Sequence, residues 1–150
     1  MLLQKEERSA LNTVTRYGDD HIDVNDTRYE HAIYFKPEGS INPWPVKKIA
    51  DITTQLLELA AGVTKKPGNA LDFLDDSPSI SYDNAPDILL IGTGEKQVFI
   101  PPQILAPLLG ARIGIECMDS QAAARTYNVL MSEGRNVAVA LMLNEEKGND

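Results

Sequence analysis

Asp87-Ile-Leu-Leu-Ile-Gly-Thr-Gly94, Ile113-Gly-Ile-Glu-Cys-Met-Asp119 and Val137-Ala-Val-Ala-Leu-Met-Leu143 are the segments on which the fold turns. Each holds a short, continuous apolar run, the pattern of a strand covered on both faces, as in a parallel sheet. Asp119 to Glu133 lies between the second and third. Asp119 or Ser120 suits its N-cap and Gly134 its end. Ala123, Tyr127 and Leu130 share one side of this helix, and Gln121, Arg125, Asn128 and Ser132 the other. A parallel connection through it is expected to be right-handed. The chain is therefore read as α/β, with a mixed sheet whose C-terminal strands are parallel and linked by helices.

Working outward, Pro101-Pro102 opens a helix carrying Ile104, Leu105, Leu108 and Leu109, which Pro107 should kink or shorten. Gln97-Val-Phe-Ile100 reads as a short return strand. Asp51 is the expected cap of a helix that runs to about Ala61 and stops at Gly62, with Ile52, Leu56, Leu59 and Ala60 on one stripe. Ile41-Asn-Pro-Trp-Pro-Val46 cannot be a central strand, because its prolines remove ladder donors, so an edge is expected. His21–Val24 and Arg28–Lys36 read as strands. Residues 1–18 are expected to form a loose arm, 19–143 one domain with a surface insertion at about 65–86, and 144–150 a polar tail.

A chain of 150 residues with net charge −8 is long enough for one core and too acidic for broad contact with nucleic acid. Its N-terminus lacks the apolar stretch of a signal peptide, and no run approaches the roughly 20 residues that span a bilayer. The lone Cys117 cannot form an internal bridge, so a reducing cytoplasm is the expected location and stable membrane insertion is not.

Few residues carry recognisable chemistry. Gly92-Thr93-Gly94 follows a strand, but Gln97 stands where a dinucleotide fingerprint needs glycine, and a tight turn with positive φ explains the glycines. Parallel neighbouring strands would bring Thr93 and Cys117 together beside the start of the Asp119 helix, where α/β sheets bind ligands and helix ends attract anions. Asp119 opposes an anion there with its own carboxylate. Cys117 lacks a nearby base, since His21 and His31 lie far off in sequence, and these residues are too few for a zinc set. No catalytic residue, metal or cofactor is implied. Arg125 and Asn128 occupy a polar helix face, with solvent as the default reading. Trp44, between two prolines, is either an exposed recognition anchor or a cover for one end of the core.

Taken in order, Pro43-Trp-Pro45, Leu89-Leu-Ile-Gly-Thr-Gly94, Pro101-Pro102, Gly114-Ile-Glu-Cys-Met-Asp119, Arg125-Thr-Tyr-Asn128 and Glu133-Gly-Arg135 resemble the Mth-like family of domains of unknown function. That family includes the mitochondrial respiratory complex I assembly factor 3. The resemblance covers about Asp23 to Leu143. It implies a three-layer β/β/α fold, no established catalytic residues, and a role exercised through a protein partner. Two functions follow as expectations. One is a non-enzymatic binding or assembly module for a respiratory or membrane complex. The other is a small-molecule-binding protein or enzyme using the edge near Thr93, Cys117 and Asp119.

Overall fold

The computed structural model describes residues 11–66 and 81–144. Its centre is a five-stranded mixed sheet ordered β5-β4-β10-β8-β9. The strands are β4 (Ile33–Phe35), β5 (Asn42–Pro43), β8 (Ile88–Gly92), β9 (Gly114–Met118) and β10 (Val137–Leu141). β8 runs parallel to both neighbours, with Val139 opposite Leu90 and Ile91 opposite Cys117. The three apolar segments therefore form adjacent parallel strands, as their sequence predicts, but only β8 and β10 are covered on both faces; β9, at the edge, is partly exposed. β10 pairs antiparallel with β4, which makes the sheet mixed.

The two faces of this sheet carry different cores. Leu89, Ile91, Ala138, Ala140 and Met142 point to one side, under helices α1 (Thr54–Ala61) and α2 (Pro102–Gly110). Leu90, Val137, Val139 and Leu141 alternate to the other side, with Ile33 and Phe35. There they meet α3 (Ser120–Ser132) and a three-stranded antiparallel sheet of β1 (Val14–Tyr17), β2 (Ile22–Val24) and β3 (Thr27–Tyr29). Two β layers and a helical layer result. Strand alternation makes both faces of β8 and β10 apolar, which is why their sequences are continuous runs.

Several local expectations change. Val14–Tyr17 is a strand of the small sheet, not part of a loose arm. Arg28–Lys36 divides into β3 and β4, which belong to different sheets. Thr53, not Asp51, caps α1: its hydroxyl accepts the Leu56 N–H, whereas the Asp51 carboxylate accepts the N–H groups of Lys47 and Lys48 in a preceding 3₁₀ turn. Gln97–Ile100 forms no strand. Pro107 is the sixth of the nine residues of α2, which continues past it to Gly110 without that one N–H. Of the expected insertion, Thr64–Lys65 (β6) and Tyr82–Asp83 (β7) pair antiparallel at its base. Residues 67–80, the first ten residues and the tail from 145 lie outside the described residues.

Candidate functional site

The parallel register brings Thr93 and Cys117 to one end of the sheet, at the start of α3. What fills that end is backbone and two hydroxyls. The Thr93 N–H donates to the Met118 carbonyl at 2.8 Å. Thr93 Oγ1 lies 2.6 Å from the Lys96 carbonyl and accepts the Val98 N–H at 3.1 Å, so it closes the turn. Gly94 adopts φ +92°, the positive value expected of the turn, and glycine takes it without strain.

Ser120 is the residue that sequence reasoning missed. It is fully buried. Its Oγ donates to the Met142 carbonyl at 2.6 Å and accepts the Gly94 N–H at 2.8 Å, while its own N–H donates to the Gly94 carbonyl at 2.8 Å. One side chain thus joins the ends of β8 and β10 to the first turn of α3. Gly92 must be glycine for the same reason: a Cβ there would sit 2.7 Å from Ser120 Cα and 2.9 Å from a Leu141 methyl. The Asp119 carboxylate accepts the Ala122 N–H at 2.8 Å and so occupies the helix start from within. The available signal was the Asp-Ser pair directly after a strand, where only one residue can be the cap.

The other candidates separate. Cys117 is half-buried; burial raises its thiol pKa, against a smaller lowering by the Ile100 N–H, so it is not an activated thiol. Arg125 is exposed on α3. Asn128 is not a solvated residue. Its Oδ1 accepts the Val14 N–H at 3.0 Å and its Nδ2 donates to the Val14 carbonyl at 2.9 Å, which clamps β1 to α3. Trp44 is buried, 3% exposed, and its Nε1 donates to the Leu56 carbonyl at 3.0 Å. It covers the core; the exposed-anchor alternative is set aside.

A hollow of about 880 Å³ lies elsewhere, at the β5 side. Ala32, Trp44, Val46 and Leu143 supply apolar lining, with Glu30, His31, Lys47, Lys48 and Asp51 around it. The two backbone N–H groups on Asp51 hold its carboxyl below the usual range, and it stands beside both lysines, so the rim carries mixed charge. Among the described residues, no group of His, Cys, Asp and Glu is arranged to hold a metal ion.

A mixed sheet of this topology, with the ends of β8 and β10 bonded to the first turn of α3, defines a small α/β domain. Residues 14–142 match the family described as a protein of unknown function (DUF498/DUF598), and the chain belongs to that family. The solution structure of a Mth938-like domain from Bordetella pertussis is 47% identical, with a TM-score of 0.72, over 95% of this chain and 93% of that one. The Francisella tularensis 13 kDa major membrane protein is 37% identical over 78 residues, 47% of this chain and 63% of that protein. The Bos taurus NADH dehydrogenase (ubiquinone) 1 alpha subcomplex assembly factor 3 is 27% identical over 141 residues, 94% of this chain and 65% of the relative. The matches span between 42% and 65% of the curated relatives' lengths. Among the described residues, no helix is long and apolar enough to cross a membrane.

Proposed function

We propose that this chain is a non-enzymatic protein-binding module that assists assembly of a larger respiratory or membrane complex and works in the cytoplasm. The observation that carries this reading is the internally satisfied carboxyl end of β8 and β10 at the start of α3. Thr93 spends its hydrogen bonds on Lys96, Val98 and Met118, and Ser120 on Gly94 and Met142. A substrate site needs a few convergent polar groups free to meet a ligand, and here those groups already hold the fold. Similarity to assembly factor 3 supports the same direction.

The test is affinity purification of the tagged chain from its native cell after gentle lysis, with mass spectrometry of what accompanies it. A reproducible larger partner is expected. In parallel, phosphate and sulfate should leave the Tm of the purified chain unchanged. An anion-dependent rise in Tm that disappears in Thr93→Val/Cys117→Ala, with no protein partner recovered, would overturn the proposal in favour of a small-ligand protein.

A further inference from the structure

Among the described residues, strand β9 lies at the edge of the five-stranded sheet and pairs with β8 alone. The Gly114 N–H donates to Asp87 and the Met118 carbonyl accepts from Thr93, so Gly114, Glu116 and Met118 turn their backbone groups inward. Alternation then turns those of Ile115 and Cys117 outward. The Cys117 carbonyl accepts the Gln97 side-chain amide at 2.9 Å. Among the described residues, the outward N–H and C=O of Ile115 and the N–H of Cys117 have no hydrogen-bond partner.

Natural edges are usually blunted by lysine, proline, a bulge or a covering element. β9 has five residues, Gly-Ile-Glu-Cys-Met, without lysine or proline; its one charge is Glu116, and Gln97 covers the Cys117 carbonyl alone. Beside it stands Phe99, 80% exposed, with Val98 also exposed. Phe99 is held in that position. Gln97 is bonded to the end of β9 and Ile100 is buried in the core, so the chain is anchored on both sides of Phe99.

We infer that β9 and Phe99 form a docking surface for an extended segment of a partner protein, which adds to the sheet as a sixth strand. This rests on the protein-binding reading above and gives it a location. Backbone bonds to Ile115 and Cys117 supply the pairing, and an apolar pocket on the partner takes Phe99. Charge selects the occupant. Glu116 is the one charged residue of β9, and the chain carries −8, so a second copy brings like charge against like. The fitting segment has apolar residues in alternation and a lysine or arginine opposite Glu116.

The experiment compares the tagged full chain with Phe99→Ser, Ile115→Pro and the control Val129→Ser, which alters an exposed apolar residue on α3. Far-UV circular dichroism and Tm establish that each is folded. Capture from native lysate should fall about tenfold or more for the two edge variants, as for a binding hot spot, and stay unchanged for the control. Amide exchange at Ile115 and Cys117 should slow in the captured complex. Unaltered capture by folded Phe99→Ser, or unchanged exchange at those amides, overturns the docking surface while the protein-binding reading stands. If the wild-type chain captures nothing, both fail together. Sedimentation of the purified chain as a dimer that Phe99→Ser dissociates would also overturn the proposal, by making the occupant a second copy.

Discussion

The two edges of the central sheet are built in opposite ways. β5 has two residues, one of them Pro43, which has no N–H to offer a neighbour. Beyond it the chain turns inward: the Trp44 N–H donates to Ala32, and its indole crosses to α1. β9 has five residues, its outward Ile115 N–H and C=O and Cys117 N–H have no partner among the described residues, and the exposed Phe99 follows the Gln97 bonded to its end. A closed edge costs sequence choices, here two prolines and a tryptophan. An open edge in the same sheet, without those choices, is a surface available to a partner. Breaking the first should damage the fold, and breaking the second should not.

The largest effect is expected at the closed edge. Trp44→Ala removes a buried indole and leaves the Leu56 carbonyl without its side-chain donor. A loss of about 3–5 kcal/mol of unfolding free energy is expected from large-to-small substitutions of this kind. Urea titration measures it. A loss below about 1 kcal/mol, within the range of a surface substitution, would mean that Trp44 does not seal this edge and that the contrast with β9 is false.

Ser120→Ala comes next and tests the sheet end between the two edges. The substitution strands the buried Gly94 N–H and removes a donor from the Met142 carbonyl. A buried group left without its partner costs about 1–3 kcal/mol. Chemical denaturation should show this loss with no change in anion binding. Weakened phosphate binding with unchanged stability would instead make Ser120 part of a ligand site.

How far these features could be read from the sequence follows the same physics. β8, β9, β10 and α3 were legible because continuous apolar runs and a capped amphipathic helix are local signals. β1, Val-Thr-Arg-Tyr, was not, since its burial pattern has only Val14 fully covered and its place depends on Asn128, 114 residues away. Asp51 and Thr53 are both good caps, and their spacing alone did not say that Asp51 would serve the 3₁₀ turn. The Thr93–Cys117 meeting followed from strand direction. That Ser120 would fill it depended on the length of one turn. Trp44 left two readings open because Pro-Trp-Pro is compatible with either an exposed or a covered ring.

Tyr127→Phe is a smaller change with a pH signature. The Tyr127 hydroxyl donates to the Asn12 carbonyl at 2.7 Å, and burial raises its pKa above the usual tyrosine value. Removing this bond should cost about 1 kcal/mol at neutral pH. A folded pKa above the unfolded one means that the contribution is complete below about pH 10 and is lost as pH rises beyond it toward the folded value. Wild-type stability should therefore fall above pH 10, and the fall should be shallower in Tyr127→Phe. Tyr82, raised by burial and by its bond to Glu58, adds to the same limb in both proteins. Equal slopes above pH 10 would show that Tyr127 does not carry this dependence.

Phe99→Ser should have the smallest effect on the free chain. The ring is 80% exposed, so its removal takes little apolar surface from the core. Surface substitutions of this type usually stay within about 0.5 kcal/mol. Amide exchange sharpens the contrast further. The Leu89 N–H lies in a strand paired on both sides, whereas Ile115 faces outward from an edge. Ile115 should exchange by local opening, well before global unfolding exposes the centre of β8. A large loss of stability in Phe99→Ser, with Ile115 as protected as Leu89, would mean that this edge is sealed in the free chain just as β5 is. The exposed phenylalanine would then belong to the fold rather than to a partner.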